Sequence, residues 1–313
     1  MEYIGLHAQI RRNNLRSTLL LIAFPLLILV AVYAVIFFMN GGPSGYIEDV
    51  NYAFLRVLPF VVIGVGVWFL IAYFSHSAII KASSGARTLQ RKENVRVYNL
   101  TENLCMSIGM QMPKLYVIDS PALNAFASGL DKNSYAVTLT TGIIEKLDDD
   151  ELEGVIAHEL THIRNQDVRL LIISIIFVGI FAFAVQVLFR SFLYRGGSRR
   201  RDSKVDGRVM LIALVVAVVV YLLSILFRFA LSRKREYLAD AGAVEMTKNS
   251  HALAGALRKI SGNHKVDVKS DDLKQMFIEN SPDKSSSFFS GLSGLFATHP
   301  PIEKRIAILE RGL

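Results

Sequence analysis

Residues 158–162 read His-Glu-Leu-Thr-His. On a helix, residues four apart share a face, so the imidazoles of His158 and His162 can reach one ion. Glu159 lies on the adjacent face, within reach of a water held by that ion. Imidazole and carboxylate donors suit zinc, and three protein ligands leave a fourth position for water. The chemistry open to such a set is hydrolysis of a peptide bond. Zinc lowers the pKa of its water and polarises the carbonyl, while the glutamate takes the water proton and passes it to the leaving amine. The bland alternative is two surface histidines on an amphipathic helix. The surroundings argue against it, because the motif sits in a capped helix that follows two strand-like runs.

A third ligand must come from elsewhere in the chain. The metzincin pattern needs Gly and His at 165 and 168, where this sequence has Asn165 and Val168, so that class is excluded. A downstream glutamate is the expected donor, and the run 232–240 (SRKREYLAD) supplies Glu236. Asp240 is four residues on, on the same helical face, where it can orient a ligand histidine from behind. A charged, solvated helix start is the competing account of this run. One Zn2+ per chain is the expected cofactor. Because the ion is inferred from ligand type, another divalent ion remains open in vitro.

Several elements must position these side chains. Residues 148–151 (DDDE) place acids where free backbone N–H groups of a helix start need acceptors. Leu152, Ile156, Leu160 and Ile163 then recur at helical spacing, which predicts one buried face. Residues 114–119 (KLYVID) and 135–140 (YAVTLT) read as strands, with 124–129 (NAFASG) leading into the second. Residues 229–246, 251–261 and 301–313 read as helices, and 281–294 as a Ser/Gly-rich loop.

The 313 residues are 52% hydrophobic with a mean hydropathy of +0.37, above the usual range for a soluble domain. The excess lies in four blocks, residues 19–38, 57–80, 170–189 and 209–227, each near the roughly twenty residues that cross a bilayer. The first is longer than a signal-peptide core and is followed by Asn-Gly-Gly-Pro rather than a cleavage site, so it reads as a retained anchor. The net charge of +8 is read as positive-inside bias, not nucleic-acid binding. Arg11, Arg12 and Arg16 precede the first block, and Lys81, Arg87, Arg91, Lys92 and Arg96 follow the second, which puts both ends of this hairpin in the cytoplasm. The basic loop from Arg190 to Arg208 conflicts with a second spanning hairpin, and the alternative is a hairpin that dips in without crossing. A single cysteine, Cys105, permits no intramolecular disulfide and fits a reducing compartment.

The runs 124–129 (NAFASG), 154–167 (GVIAHELTHIRNQD), 232–244 (SRKREYLADAGAV) and 297–305 (ATHPPIEKR) resemble, in order and spacing, the HtpX-type membrane proteases, relatives of the CAAX prenyl proteases. The resemblance implies a mainly α integral membrane protein, with four apolar helices and a zincin-like α+β cytoplasmic catalytic domain built on a small sheet. The expected organisation is a transmembrane hairpin at 1–80, the first half of the protease domain at 81–168, a second spanning or membrane-dipping hairpin at 169–231, and the second half of the protease domain at 232–313. Asn124 would lie at a substrate-binding edge strand. His299 and Arg305 would be cleft residues that stabilise the oxyanion. The implied activity is zinc-dependent cleavage of misfolded or damaged membrane proteins in the cell membrane, with no nucleic-acid partner. With four blocks rather than a large enclosed chamber, the chain is not expected to take prenylated peptides.

Three other functions compete. A catalytically silent zinc sensor or scaffold would keep the ligands, but such proteins commonly lose the glutamate, which Glu159 retains. A transporter would place ionisable residues inside the blocks, which hold few. Proteolysis within the bilayer would bury the motif, whereas the acids at 148–153 place it at the surface.

Overall fold

The structure is a computed structural model, and it describes residues 6–40, 45–195, 211–221, 233–261 and 300–311. The chain divides into two units. One comprises Met1–Leu15, Ser75–Ile172 and Phe229–Leu313, and the other Arg16–Phe74 and Ile173–Arg228.

The second unit is made of long apolar helices. Helix α1 runs over Leu6–Met39 and α2 over Ile47–Ser84. Leu21–Met39 and Ile47–Ser84 are each long and apolar enough to cross a membrane. Their side chains are turned outward: Phe60 is 76% exposed and Phe74 78%. Hydrocarbon rather than water accounts for such surfaces. The expectation of four membrane helices is met in part. Residues 170–189 lie within α6, Asp167–Arg195, and only Leu211–Tyr221, α7, is described of the fourth block. Most of the basic loop lies outside the described residues. Phe177 on α6 stacks on Phe24 of α1 with centroids 4.7 Å apart.

The first unit carries a four-stranded mixed sheet. Its strands are β1 Arg87–Thr88, β2 Lys114–Ile118, β3 Ala125–Ser128 and β4 Ala136–Thr140, in the order β1-β2-β4-β3. The parallel pair β2–β4 matches the two runs rich in β-formers. Strand β3, which the sequence reading left as a lead-in, pairs antiparallel with β4 and forms the outer edge. Its alternation was hidden because Ala and Ser carry little pattern. The sheet has two unlike faces. Leu115, Val117, Val137 and Leu139 point one way and are all buried, while Tyr116, Phe126, Ser128 and Thr138 point the other.

The remaining helices are α3 Val95–Ser107, α4 Thr141–Lys146, α5 Asp149–Arg164, α8 Arg233–Thr247, α9 Ser250–Ser261 and α10 Ile302–Glu310. Helix α5 is central and packs against β3, β4, α3, α8 and α9. It starts on a complete capping box: the Asp148 side chain accepts from the Glu151 amide, and the Glu151 side chain accepts from the Asp148 amide. Leu152, Ile156, Leu160 and Ile163 are buried along it, as the spacing predicts. Arg96 on α3 donates to Asp149 and to the Ile144 and Leu147 carbonyls, fixing the α4–α5 corner.

Helices α5 and α8 meet at a glycine. A Cβ on Gly242 would lie 2.4 Å from Thr161 Cγ2 and 2.9 Å from Thr161 Oγ1. Thr161 cannot turn away freely, because its hydroxyl donates to the Ala157 carbonyl at 2.8 Å. Gly242→Ala is therefore expected to force the helices apart and to destabilise the protein by about 1–3 kcal/mol. Thermal unfolding of the single variants and of Gly242→Ala with Thr161→Ala is the check. The double variant should be more stable than additivity of the singles allows, and strict additivity would count against the contact.

Candidate metal centre

The i, i+4 spacing on α5 brings the rings of His158 and His162 to 4.8 Å between centroids, nearly perpendicular at 87°. Their Nε2 atoms are 3.2 Å apart. Glu236 enters from the first turn of α8, with Oε1 3.5 Å from His162 Nε2 and Oε2 3.7 Å from His158 Nε2. The donor atoms of the three residues all lie within 4.8 Å of one another. Two ligands held tetrahedrally at zinc distances of 2.0–2.1 Å are about 3.3 Å apart, so this donor set fits the ion. Helices α5 and α8 flank in sequence the apolar hairpin of residues 170–227, and the Gly242–Thr161 contact sets how closely they approach.

Each imidazole is held from behind by a carboxylate. Asp240 Oδ1 lies 3.0 Å from His158 Nδ1, and Asp167 Oδ2 lies 3.1 Å from His162 Nδ1. A carboxylate at Nδ1 favours the proton there and frees Nε2 to bind a metal. Asp240 is one turn beyond Glu236, as its spacing predicts. Asp167 was not singled out by sequence reasoning, since its i+5 separation from His162 fits no helical face. The chain delivers it by breaking the helix: Gln166 takes a left-handed conformation at φ 62°, and Asp167 opens α6. Asn165, which caps the C-terminus of α5, is the only sequence signal of the break.

Arg305, on α10, has no exposure to solvent. Its fork grips Asp240, with Nη2 2.7 Å from Oδ1 and Nε 2.9 Å from Oδ2. Nη1 is 3.6 Å from Glu236 Oε2. Nη2 also lies 3.5 Å from both ring nitrogens of His158, so the guanidinium packs against the donor set as well as against Asp240. His299 lies outside the described residues.

Glu159 is 2% exposed, and burial raises its carboxyl pKa, opposed by the nearby histidines and by the Ala127 backbone amide that donates to it. Burial also acts to lower the pKa of His158, but its hydrogen bonds with Asp240 and Glu236 prevail and raise it to about 9. Asp240 is driven down to about 2: burial opposes ionisation, and the Arg305 charge and the His158 and Arg305 hydrogen bonds outweigh it. Asn124 is buried at the start of β3, where its Oδ1 accepts from the Ala125 amide and its carbonyl accepts from the Thr140 amide. Thr140 bonds residue 124 from the inner side, its amide donating to the Asn124 carbonyl and its hydroxyl accepting from the Asn124 amide, so the backbone groups of Ala125 and Ala127 turn to the outer edge, and Ala127 reaches Glu159 there.

The profile of peptidase family M48 matches residues 91–312. A protease HtpX homolog of Bacteroides fragilis is 54% identical over 99% of this chain and 100% of its own length. A protease HtpX homolog of Dictyoglomus thermophilum is 36% identical over 98% of this chain and 94% of its own. A crystal structure of S. mikatae Ste24p superposes with a TM-score of 0.49 at 19% identity, covering 96% of this chain and 66% of that one, a likeness that bears on no residue's role. With the family profile spanning most of the sequence and full-length relatives at this identity, the chain belongs to peptidase family M48, among its HtpX-like members, and is a metallopeptidase.

Proposed function

We propose that the chain is a membrane-embedded zinc endopeptidase that cleaves unfolded or damaged membrane proteins at a cytoplasm-facing site, anchored by more than one membrane hairpin. The observation that carries the reading is the juxtaposition of three metal donors within 4.8 Å with a buried glutamate beside an edge strand. His158, His162 and Glu236 would hold the ion. Zinc, when bound, supplies Lewis acidity that acidifies water and polarises a peptide carbonyl. Glu159 takes the proton of the attacking water on its carboxylate and delivers it to the departing amine nitrogen. Its raised pKa suits it to both halves of that transfer. Asp240 and Asp167 keep the imidazole protons on Nδ1. Arg305 acts through Asp240 as a positioning residue.

The substrate class rests on β3. An extended segment can add to its outer edge by donating to the outward carbonyls of Ala125 and Ala127, whose amides are held by Asn124 Oδ1 and Glu159, and such pairing requires an unfolded chain. Asn124 holds the start of that edge through its bond to the Ala125 amide. The apolar surfaces of α1 and α2 place the enzyme where unfolded membrane proteins are found.

The decisive experiment is cleavage of an unfolded model protein by full-length enzyme in detergent, with metal content measured on every sample. Wild type should cleave, lose activity to a chelator and regain it with zinc. Glu159→Gln should bind zinc normally yet lose activity by at least about a hundredfold. A wild type that holds zinc and cleaves nothing, in detergent or in bilayers, sinks the reading in favour of a sensor.

Asp167→Asn should weaken zinc binding by about 10–100-fold, because a neutral amide no longer fixes the His162 tautomer. Competition with a chromophoric chelator measures this, and unchanged affinity would remove Asp167 from the site. Arg305→Gln leaves the buried Asp240 carboxylate without its fork and should destabilise the fold by about 3–5 kcal/mol. Thermal unfolding of the zinc-free protein tests it, and a small loss would mean that water replaces the guanidinium.

A further inference from the structure

The sheet face turned away from α5 mixes hydroxyls with buried Phe126, Ala136 and Ile118. Thr88, Tyr116, Ser128 and Thr138 lie on it by strand register. The last turns of α2 cover it, and a small recess remains between them, lined by Ser77, Lys81, Ser84, Tyr116, Ser128 and Thr138 among others. Ser128 and Thr138 are 6% and 2% exposed, and their hydroxyls, which make no hydrogen bond among the described residues, keep their remaining exposure toward the recess. Hydroxyls that line a recess without a protein partner can bond whatever polar group enters it.

Lys81 supplies the charge. Its Nζ lies 3.3 Å from Thr88 Oγ1 and 5.4 Å from the centroid of the Tyr116 ring. Among the described residues it pairs with no carboxylate. Asp131, the acid that closes the neighbouring turn, is bonded instead to the amides of Asn133 and Ser134. The recess therefore offers an ammonium and hydroxyl donors with no competing anion in contact, which selects an anionic oxygen.

Its place along α2 says where that oxygen comes from. Lys81 is the first charged residue after the apolar run of residues 57–80. A membrane helix normally puts such a lysine at the depth of the lipid phosphates. The recess has room for about one water-sized atom, ≈ 10 Å³. It admits one phosphate oxygen, leaving the rest of the headgroup and the acyl chains outside, along α2.

We propose that Lys81, Thr138 and Ser128 form a binding site for the phosphate of an anionic phospholipid headgroup at the end of α2. The site is independent of the metal centre and of the protease reading. The test uses full-length protein in detergent, titrated with phosphatidylglycerol and followed by native mass spectrometry. Diacylglycerol of the same chains and inorganic phosphate are the comparison ligands. Wild type should retain one phosphatidylglycerol and should not retain diacylglycerol. Lys81→Gln and Thr138→Val should each weaken retention about fivefold, the scale of one basic residue at a lipid surface. Lys92→Gln, an exposed charge away from the recess, should leave retention unchanged. All variants should unfold at the wild-type temperature, and Lys81 is exposed enough that its substitution leaves folding intact. Equal retention by Lys81→Gln, equal loss in Lys92→Gln, or equal binding of diacylglycerol would each overturn the proposal. Displacement of the lipid by inorganic phosphate at the same concentration would overturn the lipid assignment, showing a site for free phosphate.

Discussion

A guanidinium with no contact to water is tolerable only when its charge and its planar fork are both matched. Arg305 meets this condition chiefly at the Asp240 carboxylate, with Glu236 as a second acidic neighbour, and Asp240 is also what holds His158. The chain of contacts α10–Arg305–Asp240–His158 thus ties the C-terminal helix to the central helix through a polar network. A bidentate pair specifies angle as well as distance, so it fixes the roll of α8 about its own axis. Glu236, one turn earlier on that helix, is then presented toward the histidines rather than toward solvent. The Gly242–Thr161 contact sets the separation of the same two helices. Roll and separation together decide whether three donors converge.

Around the two histidines lie four carboxylates, Glu159, Glu236, Asp240 and Asp167, all at least nine-tenths buried. Arg305 beside Asp240 and Arg235 at the Asp167 carbonyl do not match four carboxylates. Such an excess is resolved physically in two ways: a carboxyl takes up a proton, or a cation binds. The structure distributes these outcomes unevenly. Asp240, beside Arg305, is held ionised, whereas Glu159, away from that charge, has its pKa raised. The remaining negative charge sits where the imidazole nitrogens point, and there a divalent cation is favoured over a proton because it engages all three donors at once.

Much of the first unit could be read from local pattern. The acids at 148–151 and the period of Leu152, Ile156, Leu160 and Ile163 identify α5 because a capped amphipathic helix satisfies both rules within a dozen residues. The strands β2 and β4 carry β-branched and aromatic residues and show in the sequence. β3 does not, since its Ala-Phe-Ala-Ser run has the composition of a loop, and only pairing with β4 makes it a strand. β1 is two residues long and exists by pairing alone. In the centre, the i, i+4 relations of His158 with His162 and of Glu236 with Asp240 are visible at once. The approach of these two pairs is a tertiary fact, although the apolar hairpin between them hinted at it. Asp167 was invisible because a single left-handed residue, Gln166, redirects the backbone. Arg305 was visible as a residue, but its ion pair with Asp240 was not, because the two are 65 positions apart.

The same alternation that builds a core also forces a sheet to have a second face. On β4, Val137 and Leu139 close the apolar layer against α5, so Thr138 must point the opposite way. Had that face been solvated, its hydroxyls would need no account. It is instead covered by the end of α2, which brings Lys81 over Tyr116 and buries Thr138 to 2% exposure. Phe126, Ala136 and Ile118 bury apolar surface on this covered face, but at Thr138 and Ser128 it gives up hydrophobic burial that valines would supply. Sequences free to vary tend to lose such features unless something compensates for them. The metal centre cannot be the compensation, since it lies on the α5 side of the sheet. The polar face is therefore explained by what it meets on its own side.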